Sequence, residues 1–492
     1  MKKIVLSIIA LFTFQLEAQN EVDALRYGQQ ENLGTARYVA MGGAFAALGG
    51  DLSSIKENPA ATAVYRTSEF GVSMAIQNTS KESKYFNNVE KENRANFNIP
   101  NFSIVRVDDD LDDPNWNRLN MSFGLTRLSG FSAQQTVAGQ HNQISYINTL
   151  RNKSQGSSID DLYYEDIKSY LAFNTIALDT TSAGSYISWI DGEGQKQRLI
   201  REERGGVTEL NLSVGASYND KVFFGASVNI PIVNYESESL FSEFGYEHAA
   251  DLTLDGIDTR FNRFNLREEV KTTGSGINAK FGVIAKPVFW WRLGLAIHTP
   301  TYYTLDEEYA FHVSSNFNSF NPINGSFKGL YSYHLTTPGK IVLGTSFILK
   351  KQGILSIEYN HSDYGNLEYS SIDEFSSIEE EEAIDGQNSV ISDTYTSAGT
   401  LKIGAEWRYE NLSFRGGYNH VESPLKYSDA LEKDVLSFGL GYRWEQYFFD
   451  MAMQLTSYKE SRQMYLTNED TDLNIDLDTK MSNYVFTFGY KF

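Results

Sequence analysis

The sequence contains no cysteine among its 492 residues. That absence removes disulfides, thiolate-held zinc, iron–sulfur clusters, thiol catalysis and a cysteine-linked lipid anchor together, and it fits an oxidising compartment. Basic charge is short as well: 42 Lys and Arg stand against 63 Asp and Glu, a net charge of -21. So acidic a chain has no basic stripe to displace counterions from phosphates, which argues against nucleic acid as a partner. No stretch holds 18 consecutive apolar residues, so no membrane-spanning helix is expected. There are seven histidines, none spaced as a pair of metal ligands, and no Gly-x-Ser-x-Gly elbow. His361 and Asp363 share a strand face as a conceivable dyad, but a polar pair at a loop edge is the simpler account. No enzyme, metal site or cofactor is implied.

Aromatic residues are plentiful: 30 Tyr, 31 Phe and 6 Trp, in a chain whose mean hydropathy is only -0.37. The two facts are reconciled by alternation. At the C-terminus Tyr484, Phe486, Phe488, Tyr490 and Phe492 occupy every second position, with Val485, Thr487, Gly489 and Lys491 between them. Successive side chains of a strand point to opposite faces, so one face is aromatic and the other small or polar. The same pattern recurs over 210–218, 401–409, 436–444 and 447–455. A soluble sandwich also alternates, but here Lys2 and Lys3, an apolar run from Ile4 to Phe14 and Ala18 read as a signal peptide over 1–18. Export, alternation over most of the chain and Tyr/Trp at strand ends together favour a transmembrane barrel.

About fourteen strands are expected, near 68–79, 94–107, 115–130, 206–218, 221–237, 263–286, 288–311, 329–349, 354–370, 397–409, 412–423, 434–444, 447–459 and 481–492. Short connections (108–114, 219–220, 286–287, 350–353, 410–411 and 445–446) alternate with long ones, as in outer-membrane barrels. The longest, 131–205, has helical spacing around Ile159, Leu162, Ile167 and Leu171 and is expected to place one or two short helices over the external mouth. Acidic runs at 378–385 and 468–472 read as solvated surface, with calcium binding the sharper alternative.

The stretch 41–60, "MGGAFAALGGDLSSIKENPA", fits neither a phosphate loop nor a spanning helix. No Gly-Lys-Ser/Thr follows the glycines, and Asp51 and Lys56 interrupt the apolar run. With "GTARYVA" before it, and with hairpins such as "WWRLGLAIHTPTYY" and "TLKIGAEWRYENLSFRGGYNHVESP" after it, it resembles the plug and wall of the long-chain fatty-acid transporter (FadL/TodX) outer-membrane family, closest to versions from Bacteroidetes. The resemblance covers nearly all of the mature chain. It implies an all-β transmembrane barrel of fourteen antiparallel strands (67–492) with an N-terminal hatch (19–66) inside. It implies further that a hydrophobic ligand is caught near the external loops and released sideways into the bilayer. The positions matching the hatch motif are Gly42, Gly43, Gly49, Gly50, Asp51, Asn58, Pro59 and Ala60. Asp51 is suited to cap a short helix over 53–57.

Alternation puts Arg292, Glu358, Glu406, Arg408, Arg415, Arg443, Asp450 and Lys491 on the lumen face, where they either pair with one another or hold an anionic head group. Around Pro100 the apolar set slips from Phe97 and Ile99 to Phe102 and Ile104. Proline cannot donate to a ladder, so a bulge or broken pairing is expected there as a candidate lateral gap. Two functions compete. One is transport of a small hydrophobic or amphipathic compound. The other, which the resemblance also allows, is a non-transporting barrel that docks other outer-membrane proteins in a secretion or assembly machine. An outer-membrane hydrolase is a weaker third reading.

Overall fold

The computed structural model describes residues 20–492 apart from 110–112, 114, 141–144, 191–194, 247, 248, 250, 255, 351, 373–376, 466 and 468–472. The expected signal peptide, His141, His248 and the acidic run 468–472 lie outside the described residues.

Fourteen antiparallel strands close into one barrel. They are β1 (Glu69–Tyr85), β2 (Asn88–Asp108), β3 (Trp116–Gly130, continued by Ala133–Gln140), β4 (Lys196–Tyr218), β5 (Val222–Phe244), β6 (Ile257–Val288), β7 (Trp291–His298 with Thr301–Phe317), β8 (Ile323–Thr337 with Lys340–Leu349), β9 (Gly353–Asp363 with Glu368–Ser371), β10 (Ser397–Tyr409), β11 (Leu412–Val421), β12 (Lys433–Trp444), β13 (Tyr447–Gln463) and β14 (Asn474–Lys491). β14 pairs with β1 from Glu69↔Lys491 to Tyr85↔Ile475, which closes the sheet on itself. At one end the turns are tight. Asn219 and Asp220 have φ of 51° and 53°, as a two-residue hairpin demands. Toward the other end the wall is tall: β6 alone has 32 residues, where about 9–11 cross a bilayer.

Burial is inverted relative to a soluble protein. Leu212, Val214, Phe438 and Leu440 are exposed, while Asn211, Ser213 and Ser437 are buried on the inner face. Aromatic rings gather at the short-turn rim, where Trp116 meets Tyr218 at 5.2 Å between centroids and Tyr447 meets Tyr490 at 5.1 Å. An outward apolar band with an aromatic rim is what a lipid-facing wall requires.

Three adjacent strands depart from the expected continuous runs over 288–311, 329–349 and 354–370. β7 breaks at Thr299–Pro300, β8 at Pro338–Gly339 and β9 at Tyr364–Leu367. Two of the breaks carry a proline, which has no N–H to give to the ladder. The long connection also differs in extent. Its flanks, 133–140 and 196–205, belong to the wall, so the insert proper is 141–195. It carries three helices rather than one or two, α4 (Tyr146–Ser154), α5 (Ile159–Glu165) and α6 (Ile167–Asn174), and a short hairpin. The acidic run 378–385 forms the first turns of another helix, Ile378–Thr394.

The insert packs inside the tall end of the wall. Tyr146, Ile147, Leu150, Leu171 and Leu178 share an apolar core with Tyr85 of β1, Phe241 of β5, Phe264 of β6, Phe311 of β7 and Ile475 of β14. The N-terminal residues form α1 (Glu21–Gly28), α2 (Ala36–Ala40), a 3₁₀ turn over Leu52–Lys56 and α3 (Ala61–Val64). α1 shares a second core with Tyr235 of β5, Tyr303 of β7 and Tyr333 of β8.

Candidate functional site

Between residues 35 and 65 the N-terminal segment touches the inner face of strand after strand, and it does so through glycine. A Cβ at Gly225 of β5 would sit 2.2 Å from the Pro59 carbonyl carbon, and one at Gly282 of β6 would sit 1.9 Å from Asn58 Oδ1. Gly215 of β4 meets Ala63, and Gly294 of β7 and Gly344 of β8 meet Ala46–Ala47. Gly404 of β10 and Gly417 of β11 meet Met41–Gly42, and Gly439 of β12 meets Ala40. Glycine inside a strand marks close approach of another backbone. Here eight strands supply it at one level, and the segment answers with its own small residues.

The motif positions have separate roles. Gly42, Gly43, Gly49 and Gly50 have φ of 62°, 73°, 61° and 65°, a region open to glycine and costly for other residues. Asp51 caps the 3₁₀ turn: its Oδ1 accepts from Ser53 N at 2.9 Å and from Thr35 Oγ1 at 2.7 Å. Asn58 is fully buried. Its Nδ2 donates to Ala46 O at 2.7 Å and its Oδ1 accepts from Ala60 N at 3.0 Å, so it ties two parts of the segment together. Pro59 and Ala60 lie against Gly225.

The inward charges converge on the same segment. Glu406 accepts from Arg37 Nε at 2.8 Å and from Arg415 Nε at 2.7 Å, with Arg408 at 3.4 Å. Arg415 continues to Asp450 at 2.6 Å. Glu358 accepts from Phe45 N at 2.9 Å, from Ala46 N at 2.7 Å and from Lys402 Nζ at 2.8 Å. Arg292 donates to Leu48 O. Arg443 lines a small cleft with Arg37, Asp51, Glu69 and Asp450, and Lys491 pairs with Glu69 at 3.1 Å. Glu358, Glu406, Arg408, Arg415, Asp450 and Lys491 thus pair with one another, with Glu69 or with the segment.

Sequence reasoning missed the partners that the segment itself brings. Arg37, Asp51, Lys56 and Glu57 are buried charges of the segment, and Glu57 takes Lys340 at 3.2 Å, Lys402 at 3.3 Å and the Tyr38 hydroxyl at 2.7 Å. Burial pushes the Glu57 carboxyl up, but Lys340, Lys402 and Lys56 outweigh it and hold it well below the usual carboxylate range. The available signal was a run of charges, Asp51, Lys56 and Glu57, in a stretch otherwise of small residues.

Above this packed layer lies a chamber of about 300 Å³. Residues 28–33 bound it on one side. Gln77 of β1, Ser129 and Gly130 of β3, Lys280 of β6, Lys340 of β8, Lys402 of β10, Gln454 of β13 and Asn483 of β14 bound it on others. Pro100 lies beside a discontinuity in the wall. Ser73 faces Asn101 and Ala75 faces Asn98, so Ile99 and Pro100 together oppose Met74 in a bulge. β2 pairs with β3 only from Asn101↔Thr126 to Asp108↔Leu119. Beyond Pro100 the two strands are joined by side chains instead, Thr136 Oγ1 to Glu92 at 2.7 Å and Asn88 Nδ2 to Ala138 O at 3.0 Å. His361 and Asp363 are exposed, and Asp363 accepts from Gly365 N at 3.2 Å as the cap of a turn.

No protein-family model matches the chain, and no curated protein matches it. Solved structures do. The Pseudomonas putida toluene transporter TodX superposes with a TM-score of 0.53 at 13% identity, over 94% of this chain and 99% of that one. A Pseudomonas aeruginosa FadL homologue gives 0.52 at 13%, over 94% and 100%. The closed fourteen-strand wall with its outward apolar band defines an outer-membrane β-barrel. Its fold is the FadL type.

Proposed function

We propose that the chain carries small hydrophobic or amphipathic compounds, fatty-acid-like in build, across the outer membrane, with residues 19–66 as an internal hatch and release sideways through the wall. The observation that carries this reading is the position of the chamber. It lies against Gln77 of β1 and Ser129–Phe131, where the two parts of β3 join, close to the stretch of β2 that pairs with β1 but not with β3. A ligand held there has a packed layer below it and a discontinuous ladder beside it. The likeness to a toluene transporter and to a FadL homologue supports the same reading. The experiment is native mass spectrometry of the protein purified in mild detergent, repeated after deletion of residues 20–60. A specific small compound retained by the full chain and lost from the deletion is expected. No specific compound in either sample would count heavily against transport.

A docking role in an outer-membrane assembly is the second reading. It is favoured by Ile159, Tyr163 and Tyr164 of α5, which expose apolar surface on the insert. Under that reading, replacing Tyr163 and Tyr164 by Ser disrupts a stable complex while uptake of small compounds is unchanged.

A further inference from the structure

The chamber's lining has a chemistry of its own. Gln77, Asn483 and Gln454 stand side by side on β1, β14 and β13, each opposite the next in register, and all three line the cavity. Among the described residues, neither amide atom of Asn483 has a protein partner. Gln77 offers its Nε2 only to Met481 Sδ, at 3.5 Å, and Gln454 Nε2 reaches Asn32 O at 3.4 Å. Hydrogen-bonding capacity is therefore left over on this row.

Most of the positive charge in the lining is already taken, Arg26 by Asp23 among it. Of the four lysines in the lining, Lys340 and Lys402 are taken by Glu57 and Glu358, and Lys280 by Glu209 at 2.6 Å. Lys433 lies over the Tyr458 ring at 4.6 Å. A carboxylate seated on Lys280, Lys340 or Lys402 must break a buried pair, which strands a charge, and Lys433 stands apart from the Gln77–Asn483–Gln454 row, on β12. A hydrocarbon must cover the amides without bonding them, and sites built from hydrogen-bonding groups reject ligands that lack partners for them. Leu431, Val435, Phe131 and Met481 supply apolar surface in the same cavity.

We propose that the chamber selects an amphipathic compound with an uncharged head rich in hydroxyl, ester or amide groups, the head on the Gln77–Asn483–Gln454 row and the tail on the apolar side chains. This rests on the transport reading above and sets its substrate class apart from both free fatty acids and plain hydrocarbons.

The test uses three probes with eight-carbon chains, 1-monooctanoylglycerol, octanoate and octane, competed at equal concentration for the full chain in nanodiscs and read by native mass spectrometry. Monooctanoylglycerol is expected to be retained about tenfold over either rival, a modest margin for a site that hydrogen-bonds its ligand. Asn483→Leu and, separately, Gln77→Leu are expected to erase that preference while octane binding persists. Heat-dependent gel mobility confirms that each variant barrel is folded. Octanoate binding as tightly or more tightly, octane matching the glyceride, or a preference that survives both variants overturns the inference and leaves the transport reading intact. If none of the three probes is retained, both fall at this chamber.

Discussion

The segment 35–65 and the insert 145–190 both occupy the inside of the wall, and they are packed by different chemistry. The insert is held as a soluble domain is held. Leu150, Leu171, Phe264 and Phe311 form a large-residue core, and one buried carboxylate, Glu243, receives Tyr146 N at 2.8 Å and Gln197 Nε2 at 2.6 Å to seat the start of α4. The N-terminal segment has a core of its own, Tyr38, Val39, Met41, Phe45 and Leu48, but the wall meets it there with the smaller Ala75, Ala452 and Val485. Its backbone lies directly on the glycines of eight strands, and charge pairs such as Arg37–Glu406 at 2.8 Å connect it to the wall. A core of large side chains tolerates adjustment, because neighbouring rotamers can move. Backbone against backbone has nothing to move. The comparison teaches that the segment's seat is the more specific of the two, and the insert's the more plastic.

The sharpest way to break that contrast is to add a side chain at the glycine level. Gly282→Val directs its Cβ at Asn58 Oδ1 and the Pro59 ring, and Gly225→Val directs its Cβ at the Pro59 carbonyl. Overpacking a well-filled core costs about 1–3 kcal/mol, and more where the backbone itself is in the way. Either variant is expected to unseat the segment and expose Arg37 and Lys56 to trypsin in detergent, while the barrel keeps its heat-dependent gel shift. Continued protection of both sites would show that the seat can yield after all.

Truncating the insert's core is the milder counterpart. Leu150 is 2% exposed within its cluster. Leu150→Ala is expected to cost about 2–5 kcal/mol locally, read as faster hydrogen exchange over 146–174 with unchanged exchange over 36–64. Faster exchange in both regions would mean that the two fillings are one cooperative unit.

These contrasts track what was legible in the sequence. Strand parity is local, so period-two alternation placed Glu358, Glu406, Arg408 and Arg415 on the inner face without knowledge of the fold. Their partners were not legible. Arg37 meets Glu406 across 369 positions and Phe45 meets Glu358 across 313, and nothing in either neighbourhood names the other. The glycines were visible as the small face of each strand, but their purpose depends on what stands opposite, and only the assembled ring shows that. Helix spacing around Ile159, Leu162, Ile167 and Leu171 was readable and marks α5 and α6, which meet at the Asp166 cap, while α4 over Tyr146–Ser154 was missed because its run YINTLRNKS carries few apolar positions. The interruptions of β7 and β8 had a local signal in Pro300 and Pro338. Pro100 was read as a break, but those two, in equally regular alternation, were not.

The smallest effect expected is one of pH, and it separates the regions because the group responsible belongs to the N-terminal segment alone. Lys56 is buried, donates to Leu33 O at 2.7 Å and lies 4.8 Å from the centre of the Tyr38 ring. Burial lowers its pKa. Glu57 opposes the shift, while Lys402, Lys340 and Lys280 add to it, and the result is about 7, against 10.5 for a free lysine. The unfolded chain therefore keeps this proton up to about pH 10.5 and the folded chain only up to about pH 7. Between those values the unfolded state binds more protons, so stability rises with pH across the window and is flat for this group below it. Protection of Arg37 and Lys56 from cleavage should therefore strengthen modestly from pH 7 to 10, while hydrogen exchange over 146–174, corrected for its intrinsic pH dependence, stays level. Lys56→Met, which keeps the bulk and removes the titration, should flatten protection at Arg37 across that range. A slope that persists in Lys56→Met would assign the pH response to some other group.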